Sequence, residues 1–534
     1  AGQGYFENLI REYLLDNPHC AVVTLYPEPG LASRREEAVA KKLVDYKAGL
    51  TEEQIRELVR QTAALKEYQE EEDSEEVKKK IPLLKRSDIR RESIRLYNEE
   101  HCVDGISVVH HDLFTNGIGY LTLLFNTERV PDEHIPYMGI LKSVLGYVDT
   151  EHYSYGELFH TINANSGGIA CGLQVFAKPE EEKDCYRMFG VRAKYLYPKT
   201  GFVFSMIREI LTSSNLRDEK RLYEILASLK SRLQESLTSA GNSTAVMRAA
   251  SYDSPMSWFQ DRTSGISFYQ LVEDLEANFQ EKKEELFEIL EKLVKEIFRP
   301  ENLIISFTSE KKGLEKLEQE IPELKRCLYT EPVDTGSIRY RFEKKNEAFC
   351  TSGQVQYVAL HGNYKKAGYA YTGALRILKV ILSYDYLWNN VRVKGGAYGC
   401  SGGFQRNGNV FFASYRDPNL SGTLDVYRNC PEYIRKFDAD EREMTKYIIG
   451  TISELDVPMN PAAKGQLSMS AWFTKQTEAD FQKERDEVLN ATAEDICRTA
   501  DLVEAALAQN NLCVIGSEAA IQKEKELFGA IGRL

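Results

Sequence analysis

The sequence predicts an α+β protein built from two homologous domains, each a mainly antiparallel sheet covered by helices, with a helical hairpin linker ahead of them. Three observations predict it: two capping-box signatures near the start, apolar strands alternating with long amphipathic helices further on, and internal matches that recur in one order. A chain of 534 residues is too long for a single hydrophobic core, so several units are expected.

Ser33-Arg34-Arg35-Glu36 and Thr51-Glu52-Glu53-Gln54 both fit the capping-box pattern, and Gly49 stands between them as a stop. Val39, Leu43 and Tyr46 share one helix face, and Ile55, Leu58, Thr62 and Leu65 share another. The hairpin is expected over 31–80, its end the charged run from Glu70 to Lys80, which reads as a solvated face or linker. Residues 1–30 are expected to close a preceding domain.

Beyond Ile81 the chain looks duplicated. Gly119 to Phe125 reads as an apolar strand followed by a helix on Ile135, Met138, Leu141 and Leu145; Gln356 to Leu360 is followed by one on Leu375, Leu378, Ile381 and Leu382. Next come an aromatic, a Gly-Gly pair and a strand: Tyr155, Gly167-Gly168 and Leu173 to Phe176 against Tyr386, Gly395-Gly396 and Val410 to Ala413. Leu216 to Glu219 opens a helix as Phe437 to Glu441 does, and Glu276 to Gln280 echoes Glu478 to Gln482. A strand from Asn302-Leu303 ends at Ser309-Glu310, as one from Asn511-Leu512 ends at Ser517-Glu518. The matches place one domain at 81–325 and its sister at 326–534, with a polar stretch from about 311 to 348 joining them.

Composition excludes some functions. The net charge of -13 argues against a nucleic-acid surface, which needs a basic field. Ten cysteines without a C-x-x-C pair read as reduced thiols, not as a disulfide framework or zinc knuckle. No apolar run approaches the roughly 20 residues that cross a bilayer.

The eight histidines complete neither H-E-x-x-H nor H-x-x-E-H, the spacings that aim two imidazoles from one helix face at zinc. Glu157 and His160 have an i, i+3 ligand spacing with His152 nearby, but one such pair does not make a site. No metal is therefore expected in this chain. The segment from Tyr386 to Gly399 holds Arg392, Gly395, Gly396 and Tyr398. A guanidinium and a phenol are both donors, and glycines between them let another backbone approach. The pair suits a peptide carbonyl; at a carbonyl under attack, one such donor is worth roughly 3 to 4 kcal/mol in the transition state. The structural alternative is a salt bridge from Arg392 and glycines serving a tight turn. The matching stretch of the first copy, Ile162 to Ile169, has neither Arg nor Tyr.

At Arg392 to Gly399, with Tyr386 to Trp388 before it and Ser414 to Pro418 after it, the chain resembles the fourth domain of the presequence protease and falcilysin group of pitrilysin/insulinase-type zinc metallopeptidases. Phe159 to Asn163 with Ser166 to Ile169 resembles the third domain, and Gly4 to Ile10 with Leu14 to His19 resembles the segment before the linking hairpin. The resemblance implies the non-zinc C-terminal half of an oligopeptidase that degrades unfolded peptides in an enclosed chamber. It implies a catalytic and substrate-binding role for Arg392 and Tyr398, with Gly395 and Gly396 lining the substrate. Zinc and its ligands would belong to an N-terminal half, the partner of this one, and no nucleic acid or membrane is implied. The other class of function is a catalytically inactive homologue that binds peptides or serves as a scaffold subunit. A bacterial cytoplasm is expected ahead of a mitochondrial matrix.

Overall fold

The computed structural model describes residues 4–534 except 27, 29, 72, 75, 78, 79, 83, 179–183, 334, 335 and 337–339. The chain divides after residue 83 into two units. In the first unit, Thr51 opens the helix Glu52–Glu70 with a complete capping box: Gln54 N–H donates to Thr51 Oγ1 (3.2 Å) and Thr51 N–H to Gln54 Oε1 (2.9 Å). The preceding helix, Leu31–Ala48, begins two residues before the expected Ser33 cap. Gly30 takes that place in a left-handed conformation, φ 78°, without a side-chain cap, which glycine adopts with no steric penalty. Ion pairs such as Arg56–Glu52 (3.0 Å) support the second helix locally. Val39, Leu43, Tyr46, Leu58 and Leu65 are all exposed, so the apolar faces of this pair stay open. Residues 72, 75, 78 and 79 of the expected linker end lie outside the described residues.

The second unit contains two six-stranded sheets. The first comprises β1 (Glu99–Val103), β2 (Ile106–Asp112), β3 (Ile118–Asn126), β4 (Ile169–Ala177), β5 (Cys185–Leu196) and β6 (Leu303–Ser309), in the order β1-β2-β6-β3-β5-β4. The second comprises β7 (Glu347–Thr351), β8 (Tyr357–Asn363), β9 (Gly399–Phe404), β10 (Asn409–Tyr415), β11 (Asn511–Ser517) and β12 (Ala530–Arg533), in the order β12-β7-β11-β8-β10-β9. Five strands correspond one to one: β2 and β7 run parallel to β6 and β11, and the other inner pairs are antiparallel. The sixth strand comes from opposite ends of the unit, as β1 antiparallel to β2 and as β12 parallel to β7.

The duplicated signals fall on equivalent elements in most places. Asp218 and Asp440 each cap a helix by accepting from the N–H three residues on, Arg221 (3.0 Å) and Glu443 (2.8 Å). Strands β6 and β11 coincide with the matched Asn-Leu to Ser-Glu runs. Three expectations change. Val410 to Ala413 lies in β10, the counterpart of β5, so the partner of Leu173 to Phe176 is β9. Strand β9 hides because Gly402 and Gly403 leave no apolar alternation; a Cβ at either would strike the Phe412 or Phe411 ring. Glu276 to Gln280 spans the junction between the helices Ile266–Ala277 and Phe279–Ile297, whereas Glu478 to Gln482 opens the helix Glu478–Asn490, so the two are not equivalent. Residues 311–327 form no polar connection but the amphipathic helix Lys311–Cys327, whose Leu314, Leu317, Ile321 and Leu324 enter the first core.

Strand alternation sends side chains to both faces of each sheet. On one face, Leu121, Leu123 and Phe125 of β3 meet helices of their own repeat through Leu141, Phe204 and Leu290, and Val358 and Leu360 of β8 do the same with Leu378 and Ile448. The opposite faces are covered by the other repeat. Ala245 and Ala249 of the helix Gly241–Ala250 pack on Tyr357, Ala359, Ala413 and Ile515 of the second sheet. Met469 and Phe473 of the helix Pro461–Phe473 pack on Leu124, Phe176 and Met188 of the first, with Phe176 and Phe473 stacked at 4.3 Å. Both faces of each sheet are thus buried, which explains apolar runs without polar interruption.

A buried ion cluster lies at this junction. Arg248 donates in a fork to both oxygens of Glu347 on β7 (2.6 and 2.9 Å) and to Asp261 Oδ2 (2.6 Å), and the Tyr252 hydroxyl adds a bond to Glu347 (3.1 Å). The neighbouring carboxylates push the Arg248 pKa up, against the effect of its burial. Replacing Arg248 by Ala leaves two buried carboxylates unpaired and should cost about 3–5 kcal/mol. Arg498→Ala, which removes exposed pairs to Glu494 and Asp495, should cost about 1 kcal/mol or less. Thermal unfolding of the two variants checks the contrast.

Candidate functional site

The helix Ala374–Ile381 does not stop where its apolar face ends but widens into π-helical turns over Leu382–Tyr386 and Trp388–Lys394. Such widening is rare and recurs at functional sites. With the longer turn, residues four apart come almost into line along the axis, and the Arg392 guanidinium carbon lies 3.9 Å over the Trp388 ring. It also lies 5.9 Å from the Tyr398 ring centre. Among the described residues no hydrogen bond or ion pair holds the Arg392 guanidinium. The salt bridge considered for it from sequence is absent there, and its fork of donors stays available.

Tyr398 is 67% exposed and Trp388 40%. Backbone bonds from Tyr398 N–H to the carbonyls of Tyr415 (3.1 Å) and Arg416 (3.3 Å) fix its position, and its ring meets that of Tyr415 edge-on at 5.9 Å. Between Arg392 and Tyr398 the chain turns on the two glycines. A Cβ on Gly395 would come within 2.5 Å of the Val391 carbonyl oxygen, and Gly396 has φ 80°. The Gly395 carbonyl accepts from Asn419 Nδ2 (2.6 Å).

Asn419 is set in turn by Asp417, which is fully buried. The Asp417 carboxylate accepts from Asn419 N–H (2.9 Å) and Thr423 Oγ1 (2.7 Å), and its backbone pairs with Gln356 beside β8. Burial pushes its pKa up from the usual carboxylate value. The Ser414 to Pro418 motif is therefore the support of the glycine turn. Burial also pushes the neighbouring Cys400 thiol up to about 11, against the pull of Arg392.

The first repeat has the same turn without the donors. Gly168 is left-handed at φ 100°, and Gly167 N–H donates to the Lys194 carbonyl (2.7 Å). The glycine pair thus belongs to the fold in both repeats, and Arg392 and Tyr398 are additions to one of them. His152, Glu157 and His160 do not come together: His152 bonds to Glu209 (3.0 Å), and Glu157 is used in the capping box of Ser154. Asn419 and Tyr415 escaped the sequence reading because they act from a separate strand end; Trp388 was visible only as part of a motif, four residues before Arg392.

Two repeats of one α+β topology, with a decorated glycine turn in the second, define the architecture of half a two-halved peptidase. Comparisons agree with that class. Residues 25–275 match the family described as associated with peptidase family M16, subgroup C, and residues 346–518 match the PreP C-terminal domain. Protein HypA of Clostridium perfringens is 37% identical over 99% of this chain and 54% of its own length. Presequence protease 1, chloroplastic/mitochondrial, of Arabidopsis thaliana is 29% identical over 92% of this chain and 46% of its own length. The chain spans about half the length of these relatives. Among solved structures, a conserved protein from Enterococcus faecalis V583 superposes with a TM-score of 0.56 at 15% identity, over 79% of this chain and 99% of that one. A peptidase M16 inactive domain from Pseudomonas fluorescens superposes with 0.52 at 13%, over 79% and 98%. The chain belongs to the M16 peptidases and corresponds to the C-terminal half of a presequence-protease-like member.

The turn gives a direct test. Gly395→Ala should lower stability by about 1–3 kcal/mol, the cost of crowding a packed site. Gly422→Ala, on a helix position with open space around it, should be neutral or stabilising by up to about 1 kcal/mol. Denaturant midpoints of both variants check it.

Proposed function

We propose that this chain is the substrate-binding half of a zinc-dependent oligopeptidase that degrades unfolded peptides inside an enclosed chamber. The observation that carries the reading is the Arg392 guanidinium, stacked on Trp388 and beside exposed Tyr398, with no described anion to neutralise it. On this reading residues 1–30 close a preceding domain, 31–80 form the linker, and 81–325 and 326–534 are the third and fourth domains.

The sequence has no H-x-x-E-H or H-E-x-x-H motif, so its residues do not fit the catalytic zinc of such enzymes, and no step through zinc is assigned to them. That ion and its water belong to the N-terminal half in this proposal. The exposed Val39, Leu43, Tyr46, Leu58 and Leu65 support a covering partner, since open apolar faces of this kind mark interaction surfaces. Arg392 donates to the carbonyl oxygen of the bound peptide, and the Tyr398 hydroxyl donates beside it. Stacking and backbone bonds set both groups before substrate arrives, so little reorganisation is needed as negative charge develops on that oxygen. Gly395 and Gly396 leave room for the substrate backbone. No described helix is long and apolar enough to cross a membrane. A bacterial cytoplasm is the proposed compartment, supported by the closer likeness to the Clostridium protein than to the organellar one.

In the protein that carries the zinc-bearing half, Arg392→Ala should lower kcat/KM on a quenched peptide about 100-fold or more with unchanged thermal stability, the effect of losing one such donor. Arg392→Lys should recover only part of the rate, because an ammonium lacks the planar fork. An unchanged rate in Arg392→Ala would instead support a catalytically silent peptide-binding or scaffold subunit.

A further inference from the structure

We propose that Glu99, His101 and His110 form a binding site for a divalent transition-metal ion, zinc foremost, which clips the edge strand β1 onto β2. The antiparallel register sets Glu99 directly opposite His110. His101, two residues along β1, stands on the same face as Glu99 and diagonal to His110. The sequence search for metal sites asked for ligands on one helix turn, so a set assembled across two strands escaped it.

The geometry is that of a ligand set. The Glu99 Oε2 atom lies 3.9 Å from His110 Nδ1 and 3.9 Å from His101 Nε2, and the three donors all lie within 4.8 Å of one another. Tetrahedral zinc with bonds of 2.0–2.1 Å needs its ligand atoms about 3.4 Å apart. The exposed Glu99 side chain needs to move only a few tenths of an ångström to reach that spacing. Three protein ligands leave the fourth position to water.

His110 supplies the second, independent observation. Its side chain is fully buried, and its Nε2 lies 3.0 Å from the Ser309 carbonyl oxygen. A carbonyl only accepts, so Nε2 carries the proton and Nδ1 presents a lone pair toward Glu99. That Nδ1 atom, and His101 Nε2 with it, is buried without a hydrogen-bond partner among the described residues. An unmet buried polar atom costs about 1–3 kcal/mol. A ligand imidazole whose other nitrogen donates to a backbone carbonyl is the usual outer-shell arrangement at metal sites. Desolvation of His110 outweighs the nearby Asp112 and Glu99 and lowers its pKa, which keeps the imidazole neutral and argues against an imidazolium–carboxylate pair as the explanation.

The test uses the 534-residue chain, stripped with EDTA and titrated with zinc chloride against a chromophoric chelator, with bound metal counted by elemental analysis. The expected result is one zinc per chain, with affinity falling at least tenfold in both His101→Gln and Glu99→Gln. Zinc should raise the melting temperature of the parent chain and not of these variants, while all three melt alike in EDTA. No stoichiometric zinc, or binding that is the same in parent and variants, overturns the proposal; the second result would assign the metal to cysteines or histidines elsewhere.

Discussion

Each sheet is closed on its second face by a helix that the other repeat supplies, and this exchange is the constraint on which the rest depends. Gly241 and Gly465 mark the two crossings: a Cβ on either would collide with Tyr357 or Thr308 of the sheet beneath. Small residues there let a helix backbone lie almost on the strands, and Ala245 and Ala249 continue that close approach. Arg248 adds a charge condition, since its fork has partners only when β7 of the second sheet is in place. Hydrophobic burial supplies the energy of the junction and the ion cluster its register, for a buried pair adds little net stability but penalises every misaligned alternative.

The same junction reaches the start of the unit. Residues 86–98 run along helices of the second repeat, where Ser93 N–H meets Gln482, Tyr97 N–H meets Ser468, and the buried Arg485 holds the Arg90 carbonyl. Only then does the chain become β1 of the first sheet. The strand that carries Glu99 and His101 is therefore anchored at its base by one repeat and paired at its side with the other.

What the sequence made legible was local or repeated. The caps at Asp218 and Asp440, the strands β3, β6, β8 and β11, and the glycine turns were all visible because short-range patterns dictate them. What stayed hidden depends on distant residues. Strand β9 is rich in glycine because Phe411 and Phe412 occupy the space above it, and β12 is four residues long at a sheet edge. The Lys311–Cys327 helix was obscured by its charged outer face, though Leu314, Leu317, Ile321 and Leu324 keep a helical spacing. At the site, Arg392 and Tyr398 were close in sequence and so could be paired by eye. The π-helical widening that sets Trp388 beneath Arg392, and the Asp417–Asn419 brace from another strand end, required coordinates.

The helix exchange also sets a schedule for synthesis on the ribosome. The first sheet is complete once β6 has emerged, yet Leu124, Phe176 and Met188 on its outer face wait for a helix encoded roughly 150 residues later, a delay on the order of 10 s at ordinary translation rates. Until then a six-stranded sheet shows a greasy surface to the cell, a target for trigger-type chaperones and a hazard for self-association. A nascent chain that stalls within the second repeat leaves that surface bare, so truncated products of this protein are candidates for aggregation even though most of their fold is already built.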